Sequence, residues 1–193
     1  KGIKDFIMIT LGTGVGSGVV VNGSLIYGHD GFAGELGHYT SVQNNGRQCG
    51  CTRTGCLETY ASATGVARTA REFLDARSDE ESSLRDISAT EITSKDVYEA
   101  AVSGDKIALD VFEFTGKILG EAFADFVAFT SPRAIVLFGG LSKSGDILLK
   151  PLKENMEKNL MPIFRNKVQI LLSELKDSDA AILGASALAW EIE

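Results

Sequence analysis

The sequence predicts a mixed α/β domain, a sheet flanked by helices. Strand-like runs come first, at residues 5–11 (DFIMITL), 19–22 (VVVN) and 24–28 (SLIYG), joined by turns too short to hold a crossover helix. Helical patterns then alternate with two further apolar runs, at 133–140 (RAIVLFGG) and 168–173 (VQILLS). Strands in series followed by helix and strand in alternation fit a layered α/β domain. The 193 residues suit one globular domain, or one large lobe of a two-lobed protein. A hydrophobic content of 44% and a charged content of 23% are enough for a sizeable core.

The elements follow in order. The glycine run GTGVGSG (12–18) separates the first two strands, and Asn22-Gly23 is a hairpin signal before the third, so three antiparallel strands are expected. The glycine-rich segment GHDGFAGELGH (28–38) leads to a short strand near 39–42 and then to a loop that holds all three cysteines. Residues 57–76 read as one helix, ending in the polar stretch RSDEESSLRD (77–86), which is expected to be exposed. Thr93 or Ser94 would cap a helix over 95–102. A longer helix over 106–129 places Ile107, Val111, Phe114, Ile118, Ala122 and Phe126 on one stripe. Pro132 stops it, and 133–140 becomes a buried strand ending in a double glycine. A helix over 145–159, a strand at 168–173 and a last helix at 180–190 complete the pattern. The phenylalanines between 112 and 129 occupy more than one face of their helix, as burial in a homodimer or packing in the core would each require.

Several classes are excluded. No apolar run is long enough to cross a bilayer, and the opening KGIKDFIMITLG lacks the order of a signal peptide, so a cytoplasmic location is expected. A net charge of −7 argues against nucleic acid or an anionic membrane as the main partner. Lys1 stands almost directly before a strand, so the natural protein is expected to extend further back.

Cys49, Cys51 and Cys56 form a C-x-C-x4-C cluster. Three thiols leave one over if they pair, and Cys49 and Cys51 are too close to bridge easily. Without an export signal, clustered cysteines point to metal, and zinc takes four tetrahedral ligands. Of the two histidines, His38 lies nearer than His29 and is the better fourth ligand. Inert reduced thiols on a loop are the alternative. Glu35 and Glu58 bracket the cluster. With one ring nitrogen of His38 on zinc, the other is held in a fixed direction. Two carboxylates and an oriented imidazole make the donor and acceptor set that grips a polyhydroxylated ligand. Removing the metal is expected to loosen all three groups together.

The run LGTGVGSG (11–18) is not a P-loop, since it lacks G-K-[ST], and it opens a strand rather than a helix. Glycines there let backbone N–H groups converge on an anion, with Thr10 and Thr13 adding hydroxyls; a tight hairpin rich in glycine is the other reading.

Taken together, GELGH, CGCTRTGCLE, ITLGTGVGSGVVVNG and VLFGG resemble, in order and spacing, the ROK family of bacterial glucokinases, related sugar kinases and sugar-sensing repressors. The resemblance covers almost the whole chain. It implies a two-lobed fold of the actin/Hsp70/hexokinase type, each lobe built on a ribonuclease H-like sheet, with residues 1–193 as the C-terminal lobe and the N-terminal lobe absent. It further implies ATP-dependent phosphorylation of a hexose, glucose first among the candidates, with Mg²⁺ accompanying ATP and a structural Zn²⁺. Glu35, His38 and Glu58 would contact sugar hydroxyls, and His38 would join Cys49, Cys51 and Cys56 on the zinc. Gly12, Thr13 and Gly14 would hold ATP phosphates, while Gly139 and Gly140 would lie beside the adenosine. Thr52 departs from the glycine many members carry after the second cysteine, which alters a turn rather than a ligand. The general-base aspartate of such kinases belongs to the other lobe, so no catalytic residue is assigned here and this chain alone is expected to be inactive. A sugar-sensing repressor of the same family is the rival reading, and a zinc module for protein or nucleic-acid contact is a third. Around the cysteines only Arg47 and Arg53 are positive, which disfavours nucleic acid.

Overall fold

A computed structural model describes residues 2–176 together with 179 and 186. The expected helix at 180–190 therefore lies outside the described residues except for residue 186. Five strands form one mixed sheet in the order β3-β2-β1-β4-β5. β1 (Phe6–Leu11), β2 (Val15–Val21) and β3 (Ser24–Leu25) run antiparallel, while β4 (Ala134–Phe138) and β5 (Gln169–Leu172) extend the other side of β1 in parallel. Alternation along β1 buries Ile7, Ile9 and Leu11, and β4 adds Ile135 and Leu137 to the same cluster. The helices are α1 (Glu58–Ala61), α2 (Ala63–Ala76), α3 (Ser94–Val102), α4 (Lys106–Thr130) and α5 (Asp146–Asn159). Their buried faces, with Phe112, Leu119 and Phe123 of α4 at the centre, complete one core.

Local chemistry explains the boundaries. Thr93 and Asp96 exchange side-chain and backbone bonds in a capping box that starts α3. Asp105 caps α4 by accepting from Ala108 N, and Ser131 ends that helix in a left-handed turn just before Pro132.

Four expectations are corrected. β2 begins at Val15, so Gly16 and Gly18 lie within a strand and the glycine turn shrinks to its first residues. The third strand is only Ser24–Leu25. Residues 39–42 form no strand; a single bridge pairs Thr40 with Cys56 while the Ser41 and Val42 N–H groups both donate to Gly55 O. The single helix over 57–76 is broken at Ser62, whose extended backbone lets its hydroxyl cap α2 by accepting from Gly65 N. Within the polar stretch 77–86, a short turn of 3₁₀ helix (Ser83–Asp86) buries Leu84 to 1% exposure. Of the phenylalanines in α4, Phe112, Phe123 and Phe126 are in the core and Phe114 packs against it, while Phe129 is 82% exposed.

Candidate functional site

His38 closes a 3₁₀ turn (Leu36–His38), Cys49 and Cys51 lie on the loop beyond it, and Cys56 stands just before α1. The loop folds back on itself through Cys49 N to Arg53 O (2.9 Å), Thr52 N to Cys49 O (3.1 Å) and a Gln48–Thr54 bridge. Arg53 adds a clasp, donating to His38 O (3.1 Å) and Thr40 Oγ1 (2.7 Å).

These contacts bring one atom each of His38, Cys49, Cys51 and Cys56 within 4.8 Å of one another. His38 Nδ1 is 3.7 Å from Cys49 Sγ, and Cys51 Sγ is 3.6 Å from Cys56 Sγ. A zinc tetrahedron with bonds near 2.3 Å has edges of about 3.8 Å, so the donor set fits the ion in number and type, and these two separations match such an edge. Burial pushes the Cys56 thiol up to about 12, while the Arg53 backbone N–H holds Cys51 below its ordinary value. A cation binding here therefore displaces the proton that Cys56 otherwise keeps. His29 is exposed beside Asp30 and takes no part.

With Nδ1 facing the sulfurs, His38 Nε2 lies 3.9 Å from Glu35 Oε2. Glu58 begins α1 and accepts from Val15 N through Oε2 (3.0 Å), while its Oε1 is 3.9 Å from Cys49 Sγ. Two glycines allow this approach: a Cβ on Gly14 would sit 2.2 Å from Glu58 Oε2, and one on Gly37 would sit 2.1 Å from Val15 O. Glu35, His38 and Glu58 line a cleft of 480 Å³ together with Thr10, Gly12, Thr13, Gly14 and Gly139. The expected sugar residues and the expected phosphate turn thus share one space.

The turn itself is held at its base. Gly12 N donates to Gly14 O (3.0 Å), and Gly16 N donates to Thr10 Oγ1 (3.1 Å). Among the described residues no acceptor takes the N–H of Thr13 or Gly14, which leaves both for a ligand. A second cavity of 380 Å³ also borders Gly12 and Thr13, walled by Gly140, Leu141, Lys143 and Ser144 and by Ser94, Lys95 and Tyr98 of α3.

Several contributors were not legible from sequence. Arg47, 7% exposed, donates to Thr59 O (2.7 Å), Thr69 Oγ1 (2.9 Å) and Glu72 Oε2 (2.5 Å), and its guanidinium lies 4.4 Å above the Tyr60 ring. It fastens the cysteine loop to α1 and α2. Burial opposes charge on Glu72, but the bonds from Arg47 and Arg68 hold its carboxyl below the usual range. Tyr39 donates to Asp125 and meets Phe126 edge-on, fastening the same segment to α4. The only sequence clue to Arg47 was a charge beside a cysteine with no acid near it.

A mixed sheet with this strand order, flanked by helices, has the actin/hexokinase-like fold. The chain belongs to the ROK family, whose sequence model matches residues 1–192. It is 40% identical over 192 residues to a glucokinase of Halalkalibacterium halodurans, covering 100% of this chain and 58% of that protein. It is 30% identical to the DNA-binding transcriptional dual regulator NagC of Escherichia coli, covering 96% of this chain and 44% of that one. The structure superposes with a TM-score of 0.85 on a ROK family glucokinase from Streptomyces griseus in complex with glucose and AMPPNP, at 34% identity, covering 97% of this chain and 61% of the other. The chain thus spans about 60% of the length of the glucokinases it matches.

Proposed function

We propose that this chain is the C-terminal lobe of a two-lobed ATP-dependent hexokinase acting on glucose. The observation that carries the reading is the shared 480 Å³ cleft, where Glu35, His38 and Glu58 face the turn Gly12–Thr13–Gly14. Phosphoryl transfer needs alignment and charge neutralisation more than covalent participation. Glu58 and Glu35 would accept bonds from sugar hydroxyls, and His38 Nε2 would add a directed partner. The free N–H groups of Thr13 and Gly14 would take phosphate oxygens of ATP, with Mg²⁺ accompanying the nucleotide, and Gly139 and Gly140 would border the adenosine. His38, Cys49, Cys51 and Cys56 would hold zinc; bound there, with all four positions taken by protein, it supplies rigidity rather than an open coordination site. The proton acceptor for the attacking hydroxyl is assigned to the N-terminal lobe. A cytoplasmic homodimer belongs to this reading, supported by the exposed Phe129 on α4.

Similarity to NagC supports a second reading, a sugar-sensing repressor using this lobe as its effector module. The turn with its two free N–H groups favours the kinase, because a sensor of sugar alone has no use for it. The sequence upstream of Lys1 separates the two: an acidic kinase motif or a helix-turn-helix.

The test is binding and turnover in the full-length protein. Glu58→Gln keeps an oxygen for Val15 N but loses the charge, so glucose binding should weaken about tenfold or more while nucleotide binding changes little. Equal losses for both ligands would remove Glu58 from the sugar site. The isolated chain should show no glucose phosphorylation, and measurable turnover would place the base within it.

A further inference from the structure

We propose that Thr64 is a positioning residue that couples the sugar site to the phosphate turn. The inference rests on the reading above. The segment from Glu58 to Thr64 grips the turn at both ends. At one end Glu58 Oε2 accepts from Val15 N (3.0 Å). At the other, Gly12 O accepts from Ala63 N (2.8 Å) and Thr13 O accepts from the Thr64 hydroxyl (2.9 Å). The residues with the free N–H groups, Thr13 and Gly14, lie between these two holds.

The break at Ser62 joins the holds. Ser62 is fully buried; its hydroxyl donates to Glu58 O (2.7 Å), accepts from Gly65 N (3.0 Å), and lies 2.9 Å from Thr64 Oγ1. Two hydroxyl protons thus serve three oxygen contacts, from Glu58 O through Ser62 and Thr64 to Thr13 O. Each hydroxyl donates once, so two of the three contacts are hydrogen bonds at a time, and Thr64 can donate to Thr13 O while it accepts from Ser62. The state in which Thr64 holds Thr13 is the one that fixes the phosphate turn.

A sugar engaging Glu58 steadies the side chain that pins Val15, and the Thr64 bond then completes a turn already held at its other end. A nucleotide meeting an ordered turn loses less conformational freedom on binding, so its affinity rises. By linkage, nucleotide raises sugar affinity by the same factor. Thr64 lines a neighbouring cleft of 230 Å³ with Thr13, Arg71 and Ser94 and has no place in either ligand's own contacts as assigned above. Removing its hydroxyl therefore acts on coupling, not on recognition.

The experiment measures glucose affinity of the full-length protein with and without AMPPNP–Mg²⁺, in wild type, Thr64→Val and Thr64→Ser. Wild type should bind glucose more tightly when AMPPNP is present. Thr64→Val should reduce that ratio about threefold or more, with smaller changes in either ligand's affinity alone, and Thr64→Ser should restore it. A wild-type ratio of one, an undiminished ratio in Thr64→Val, or a failure of Thr64→Ser to restore it overturns the coupling while leaving the kinase reading in place. A wild type that binds neither ligand overturns both.

Discussion

At residue scale, two side chains in the cysteine loop show how backbone and charge shape this site. Thr52 sits at φ 72°, in the left-handed region, where a β-branched side chain crowds the following carbonyl. That is why its position suits glycine. Thr52→Gly removes strain of about 1–2 kcal/mol, partly offset by the greater freedom glycine has when unfolded. The melting temperature of the metal-loaded protein should rise by about 1–4 °C, and a variant melting at or below wild type would show that the turn is relaxed as it stands. Arg47 illustrates the opposite case. Its sequence position beside Gln48 and Cys49 says nothing of burial, yet its carbonyl and amide N–H, as well as its guanidinium, are all taken by the fold.

At the scale of elements, the loop that carries His38 and the cysteines is tied to the helices by its own side chains. Tyr39 follows His38; its carbonyl accepts from Leu57 N (2.8 Å), and its hydroxyl donates to Asp125 of α4. Burial first, then the Asp125 bond and charge, raise its pKa from 10.0 to about 12. Between those values the unfolded chain has lost the phenolic proton while the folded one keeps it, so this contribution is complete below pH 10 and is lost as pH rises toward 12. Tyr39→Phe should be less stable than wild type by about 1 kcal/mol at pH 8, and the gap should narrow by pH 11 in urea unfolding. A gap that stays constant with pH would remove the tether. The packing of α4 on α5 depends on absent side chains: a Cβ on Gly116 would sit 2.7 Å from the Pro151 ring, and one on Gly120 would sit 2.6 Å from Leu152 O. These two glycines on α4 let α5 pack at backbone distance, and no stripe of apolar residues in the sequence announced that.

For the whole molecule, the His38–cysteine cluster, the proposed sugar carboxylates and the glycine turn meet because β1, β2 and α1 converge on Gly14 and Val15. Full-length protein purified without chelator should carry about one zinc per chain, and metal analysis finding none would remove the site. Chelation should weaken glucose binding more than nucleotide binding, since the ligands surround His38 while the turn is held by Ala63 and Thr64. Loss of both affinities in equal measure would mean that the metal supports the whole lobe. Glu58 adds a refinement to the expected joint loosening: its bond to Val15 N holds it from a second direction, so Glu35 and His38 should loosen first.

Sequence by itself determined the layered α/β class, the strand core, a helix start at Thr93 or Ser94, and the grouping of His38, Cys49, Cys51 and Cys56 as one candidate metal set. Those features come from local periodicity, turn chemistry and ligand type, which neighbouring residues carry on their own. Only the tertiary structure decided that Ser62 breaks a helix, that Arg47 is buried, that Tyr39 reaches Asp125, and that Glu58 clasps Val15 from 43 positions away. The last three depend on groups 12 or more positions apart filling one another's hydrogen bonds, and a contact of that kind leaves no periodic trace in the residues on either side.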